Sequence, residues 1–418
     1  MSAPTRHRSS GALVIGGDYK SLGIVRSLGR HGIPVWVLTD DHLLAGWSRY
    51  AERSLPWPAA READQVAYLL DLARTHALEG WAIFPNGDET AALLARNRQA
   101  LGERYRLTIQ VPWDTLRWAY DKRLTYQLAG DLGVDHPRTS YPRDRDDVVS
   151  FAGGFPAILK PAIRVEMNRF TIAKAWRVDD LPTLVTRYDE AAVLIDPSRI
   201  MIQELVEGGG DRQYSFAALC REGVPLASIV ARRTRQWPMD FGRASTYVES
   251  IDEPEVERTA LRILAALRFD GIVEIEFKRD PRDGNLKLLD INPRVWGWHT
   301  LGARAGVDFP HLLWRAMNGE SFGPLRGRPG VRWVRALTDV PTALGEIRAG
   351  RLSVVDYLGS LKGPIEWAIA AADDPLPAIL ELPATAYLAW TRRDTGSVEA
   401  RPMAPVVGAM PGGDGSSE

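Results

Sequence analysis

The chain has 418 residues, 45% hydrophobic and 25% charged, and its 52 Lys and Arg against 53 Asp and Glu leave a net charge of −1. The length predicts two to three domains, and the charge balance argues against a general nucleic-acid or anionic-membrane surface. With Cys220 as its lone cysteine and no apolar run of about 20 residues, it can form neither an intrachain disulfide, nor a multi-cysteine zinc site, nor a bilayer-spanning helix.

Residues 1–10 and the tail 404–418 are rich in Gly, Pro, Ser and Arg and read as disordered ends. The apolar run ending at Ile15 is too short for a secretory leader, so the expected location is cytoplasmic. Ala12 to Ile15 is a buried strand running into Gly16-Gly17. Leu22, Val25 and Leu28 mark a helix closed by Gly32, and Pro34 to Thr39 is a second strand. Strand, glycine turn, helix and strand form a βαβ unit with a parallel sheet. A helix over 62–77, a strand over 81–84 and a helix from Asp88, its expected N-cap, to Asn97 continue the theme. Residues 11–115 thus predict a Rossmann-like α/β domain. Gly16 to Ser21 lacks the glycine spacing of a phosphate loop around Lys20 and reads as a tight strand-to-helix turn.

From an Asp114 cap, one helix is expected through Asp121-Lys122-Arg123 to Leu132. Hairpin-like alternation follows, with strands over 157–160, 170–174, 201–205, 214–220, 226–232, 272–278 and 286–292, and a helix over 253–268. This is an α+β segment built on antiparallel sheets. Residues 321–403 form a mixed C-terminal extension with a helix expected at 363–372 and no legible function. There is no G-x-S-x-G elbow and no H-E-x-x-H pair, and His299 reads as a packed histidine.

The segment Gly271 to Arg294 is the most informative. Pro281, Asp283 and Gly284 mark a turn between two period-2 strands. A loop of Pro281 to Asn285 sets Glu276 opposite Asp290 and Glu274 opposite Asn292. One face then holds Val273, Ile275, Phe277, Leu289 and Ile291; the other holds Glu274, Glu276, Lys278, Leu288, Asp290 and Asn292. Like charges directly opposite each other destabilise a sheet, and a divalent cation removes the penalty. Oxygen donors suit Mg²⁺, so Glu276, Asp290 and Asn292 are candidate ligands, and the fork-shaped Arg294 suits a phosphate or carboxylate.

This hairpin, with Asp290-Ile291-Asn292-Pro293-Arg294 at its close, resembles the metal-binding end of the ATP-grasp superfamily, in particular the predicted ATP-dependent carboligases near D-aspartate ligase. The resemblance covers residues 11–320 and includes three further pieces in order. Lys122 is similar to the lysine that reaches the α-phosphate, and Lys160, in Phe155 to Pro161, to the strand lysine of the phosphates and adenine edge. Gln203-Glu204-Leu205-Val206 resembles the hinge whose backbone reads adenine. Asp211 stands near the ribose-binding acid, with Glu207 and Gln213 as alternatives. The resemblance implies a Rossmann-like domain (11–115), a lid subdomain (116–203) and a large subdomain with the metal site (204–320). It also implies ATP with two Mg²⁺ ions, for which Mn²⁺ can substitute. Two departures are a lid without glycine from Ala162 to Ile172 and an Asp, not a Glu, as second metal acid.

The implied activity is an ATP-dependent carboxylate–amine ligase working through an acyl phosphate, with Arg294, Arg233 and Arg235 around the reacting groups. The alternatives are a non-catalytic ATP-binding regulatory module and a phosphotransferase on the same scaffold. Expected partners are small-molecule carboxylates and amines, with neither nucleic acid nor membrane. A homo-oligomer is compatible with the sequence. Substrate choice is expected on the Rossmann-like domain, through Asp88 and Glu89, and on residues 321–400.

Overall fold

Ala12–Ile15 has no polar break, and all four of its residues are buried. The computed structural model describes residues 11–163, 168–173, 175–237, 239 and 244–393. In it, that strand is the middle of a parallel five-stranded sheet ordered Arg53–Pro56, Val35–Thr39, Ala12–Ile15, Ala82–Pro85, Arg106–Leu107. Helices Tyr19–Gly29, Glu62–His76 and Asp88–Arg96 fall where the apolar spacing predicts them. Gly16 has φ +109°, and a Cβ on Gly17 would lie 1.6 Å from the His42 carbonyl oxygen. The motif is therefore a tight turn, closed by Asp18 accepting from the amides of Lys20 and Ser21 at 2.8 and 3.3 Å.

A second, antiparallel sheet is ordered Thr139–Ser140, Ile200–Glu204, Ala157–Pro161, Trp176–Val178. The helix expected from 114 to 132 is two helices, Trp113–Tyr120 and Lys122–Asp131, with Pro112 rather than Asp114 at the first cap. Asp121 breaks them apart by leaving helical geometry and accepting from the Arg123 amide. The strand expected at 170–174 is a helix, Arg169–Ala173, because Asn168 Oδ1 accepts from the amides of Phe170 and Thr171 and nucleates a turn. Lys174, like the ends 1–10 and 404–418 read as disordered, lies outside the described residues.

The third sheet has eight strands. Leu286–Asn292, Gly271–Arg279, Gln213–Arg221 and Val224–Trp237 are followed by Ala244–Ile251, which the sequence reading missed. Arg332–Val334 and Ile365–Trp367 extend it, and Leu325–Arg326 pairs with Val224–Trp237. The helix expected at 363–372 is therefore in part a strand. Gly363, at φ +97°, and Pro364 open a segment in which the β-prone Ile365 and Trp367 pair with Arg332 and Val334. Among the described residues no helix is long and apolar enough to cross a membrane.

Candidate active site

The hairpin pairs Glu276 with Asp290 and Glu274 with Asn292, the register expected from the sequence. Its turn is one residue longer than expected, Asp280 to Asn285, and a bulge at Leu289 absorbs the difference. The bulge exchanges two faces: Leu288 enters the core near Phe277, and Leu289 lines a cavity of about 540 Å³. The polar face opens onto that cavity. Lys122 and Lys160 reach it from the second helix of the pair and from the small sheet, and Tyr19, Lys20 and Asp88 from the Rossmann-like domain.

Every carboxylate at the close of the hairpin has a protein donor. Lys122 Nζ lies 2.6 Å from Asp290 Oδ1. Arg233 Nη1 donates to Glu276 Oε2 at 2.6 Å, and Gln213 Nε2 donates to the same oxygen at 3.1 Å. Asn292 Nδ2 donates to Glu274 and Glu276 at 3.0 and 3.1 Å, and Trp298 Nε1 to Glu274 at 2.8 Å. Burial, and then the neighbouring Glu276 charge, raise the Glu274 carboxyl above the usual carboxylate range. Arg294 makes a two-pronged pair with Asp88, at 2.6 and 3.0 Å, and donates to Asn292 Oδ1 at 3.2 Å. Burial opposes its charge, but Asp88 and Glu274 more than offset that and raise its pKa. Asp88 is thus the partner of Arg294 rather than a helix cap, which Gly87 provides. Glu89 is exposed and outside the cavity wall.

At the other end, Gln203, Glu204, Leu205 and Val206 line the cavity. Gln203 Nε2 donates to Thr139 Oγ1 at 2.8 Å. Glu204 is buried and held by Lys287 at 2.6 Å, Arg138 at 2.9 Å and Arg282 at 3.4 Å. The Leu205 amide is committed to the Pro156 carbonyl at 3.1 Å, whereas the buried Val206 amide has no backbone partner among the described residues.

Two expected site residues lie elsewhere. Arg235 is not in the wall: Nε and Nη2 each donate to Asp339 at 2.8 Å, and its guanidinium sits 4.1 Å over the Tyr247 ring. Register shifts on both sides of Arg235 re-aim it away from Arg233. Asp211 is exposed and outside the wall, as is Glu207, while Gln213 lines it. Asp211 sits in the tight turn Gly210–Arg212, where a Cβ on Gly210 would lie 2.5 Å from the Arg233 carbonyl oxygen.

Residues not singled out beforehand include Tyr19, Trp296 and Trp298, and the buried Lys278. Lys278 had a signal in its place on the polar face and in the scarcity of lysine. His299 is packed as expected, buried with Nδ1 2.9 Å from the Trp296 carbonyl and its pKa pushed down to about 4 by burial.

A parallel-sheet domain, a small antiparallel sheet and a large mixed sheet around a cavity lined with lysines and acids make up a fold similar to that of solved ligase and carboxylase structures. More narrowly, residues 198–337 match the family described as "ATP-grasp in the biosynthetic pathway with Ter operon". The carbamoyl phosphate synthase large chain of Myxococcus xanthus is 24% identical over 336 residues, 76% of this chain but 30% of that protein. The chain thus spans less than a third of that curated relative. Among solved structures, an L-amino acid ligase from Bacillus licheniformis superposes with a TM-score of 0.56 at 16% identity, over 74% of this chain and 75% of that one. The biotin carboxylase domain of the Hydrogenobacter thermophilus 2-oxoglutarate carboxylase, solved with MgADP and bicarbonate, gives a TM-score of 0.60 at 16% identity, over 78% and 74%.

Proposed function

We propose that the protein is an ATP- and Mg²⁺-dependent ligase that joins a small carboxylate to an amine in the cytoplasm. The observation that carries this reading is the convergence of Glu276, Asp290 and Asn292 with Lys122, Lys160, Arg233 and Arg294 on one cavity. Residues 116–203 serve as the lid and 204–320 as the metal-bearing subdomain. The names of the relatives, a carbamoyl phosphate synthase and an L-amino acid ligase, accord with it.

The donor set fits the metal. Three carboxylates and an amide meet at one end of the hairpin, all hard oxygen ligands, with no thiolate or imidazole among them. Glu276, Asp290 and Asn292 would hold Mg²⁺, with two ions expected and Mn²⁺ a substitute. The metal supplies charge neutralisation across the phosphate oxygens.

A free carboxylate is a poor electrophile, so the substrate carboxylate oxygen attacks the γ-phosphorus of ATP. The bond to the β–γ bridging oxygen breaks, releasing ADP and leaving an acyl phosphate. The amine then attacks the carbonyl carbon, phosphate departs with the carbon–oxygen bond pair, and the amine loses a proton. Lys122 and Lys160 are point charges for the triphosphate, and Lys122 exchanges Asp290 for phosphate oxygens. Arg233 and Arg294 stabilise charge on the transferring group. Val206 offers a backbone N–H, beside the Glu204 and Leu205 backbone, to the adenine edge. No side chain acts as a nucleophile, so the protein contributes position and charge.

The test is Asp290→Ala combined with Asn292→Ala, read by ADP release over a panel of acids and amines with mass spectrometry of the products. Turnover is expected to fall by about 10²-fold or more. Unchanged Mg²⁺-dependent turnover would refute the site, and a phosphorylated final product without an amide would refute the ligase reading.

A further inference from the structure

Away from the ATP cavity, the end of helix Tyr19–Gly29 meets the start of helix Phe309–Met317. His31, Asp308 and His311 come together there, each offering a ligand atom within 4.8 Å of the others. None of the three lines the cavity. Three observations set this cluster apart from a chance meeting of polar side chains.

His31 Nδ1 lies 2.8 Å from the Ser27 carbonyl oxygen. That acceptor requires the proton on Nδ1, so Nε2 carries a bare lone pair, the arrangement found in histidines that bind metals. Ser27 also donates its hydroxyl to Asp308 Oδ1 at 2.6 Å, so one residue orients two of the three ligands. Asp308 has no ion pair among the described residues, although it is only partly exposed. The nearby Arg30 is already spent on Asp373, with bonds of 2.8 Å from Nε and Nη2. His31 is exposed and the other two are partly so, which leaves the cluster open to an ion from solvent.

We infer that His31, Asp308 and His311 form a binding site for a divalent transition-metal ion, Zn²⁺ foremost, that ties the Rossmann-like domain to the large subdomain. Two imidazoles and one carboxylate are the donor set of a borderline ion and not of Mg²⁺. The site is therefore chemically separate from the all-oxygen set on the hairpin, and water completes the coordination. The imidazoles are stacked with centroids 3.5 Å apart. The His311 ring turns about χ2, leaving the bond from His31 to Ser27 in place, so that both lone pairs reach a common point at the about 2.0–2.1 Å typical of Zn–N bonds. His31 closes the turn after the first helix, while Asp308 is the N-cap of the second and His311, three residues on, lies in its first turn. The ion thus bridges two elements distant in sequence.

The experiment uses the full, untagged chain stripped with chelator, with no nucleotide present. Zinc chloride is titrated calorimetrically, and Co²⁺ is followed by its visible absorption. One Zn²⁺ per chain is expected, with a rise in melting temperature. His31→Ala and His311→Ala should each weaken binding by roughly tenfold or more. His42→Ala, in the other histidine–carboxylate group at Asp40, Asp41 and His42, should leave it unchanged. Far-UV circular dichroism and MgATP binding report whether each variant is folded, and His31, being exposed, tolerates substitution. Stoichiometric Zn²⁺ binding lost in both folded variants establishes the site. No binding, binding untouched in the two variants, or binding lost only with His42→Ala overturns it.

Discussion

Replacing Lys287 by methionine tests how the Gln203–Val206 end of the cavity is fastened to the hairpin. Lys287 Nζ lies 2.6 Å from Glu204 and 2.9 Å from Asp280, and the three side chains are 10%, 4% and 0% exposed. Methionine keeps the stem and removes the charge. Breaking a buried pair costs about 3–5 kcal/mol, because the partner stays buried and uncompensated. Arg138 and Arg282 remain on Glu204 and Arg282 remains on Asp280, but both guanidiniums are substantially exposed and compensate weakly. The expected loss is therefore about 2–4 kcal/mol in urea unfolding at pH 7.5. The pH dependence has a definite sign. Arg282 and Lys287 hold Asp280 below the usual carboxylate range; burial raises Glu204, yet Lys287 and Arg138 bring it below as well. Carboxylates depressed in this way stabilise the fold above their unfolded pKa values, near about 4, and that stability is lost as pH falls through the folded values. The gap between wild type and variant should be widest at neutral pH and narrow as the pH drops below about 4. A variant within about 0.5 kcal/mol of wild type at pH 7.5, or a gap constant with pH, would refute the reasoning.

Arg233→Met and Arg235→Met should separate two roles on one strand. The first should lower ADP formation by about 10²-fold or more with the chain still folded. The second removes the partner of the fully buried Asp339 and should cost about 3–5 kcal/mol in denaturant melts while leaving the turnover of folded protein near wild type. If Arg235→Met instead abolishes turnover without loss of stability, the assignment of the two arginines is wrong. His299, neutral when buried with a pKa of about 4 against 6.5 unfolded, contributes stability above pH 6.5 that is lost as the pH falls toward 4. His299→Gln should flatten that acid limb by a few kcal/mol, order of magnitude, in melts between pH 7 and pH 4. An unchanged limb would show that His299 is not what titrates.

The βαβ unit was legible because apolar runs, glycines and caps agree there. The acidic end of the hairpin was legible because strand alternation places Glu274, Glu276, Asp290 and Asn292 on one face whatever packs on the other. Legibility failed where a local hydrogen bond or a bulge outweighs periodicity. Asn168 turns an alternating stretch into a helix, the bulge at Leu289 swaps two leucines between core and cavity, and register shifts turn Arg235 from the site. The pairing of Asp88 with Arg294 was hidden for another reason. Its partners lie 206 residues apart, and no local pattern announces a contact between domains.

The short strand Arg332–Val334 pairs with Ala244–Ile251 and Ile365–Trp367 pairs in turn with Arg332–Val334, so the C-terminal extension is the hem of the large sheet rather than an appendage to it. A chain cut after residue 320 would keep every group proposed to touch ATP, yet would leave the amides and carbonyls of an eight-residue strand bare along one margin. Such a fragment would recruit foreign strands and precipitate, so the smallest stable unit extends well past the last residue that lines the cavity.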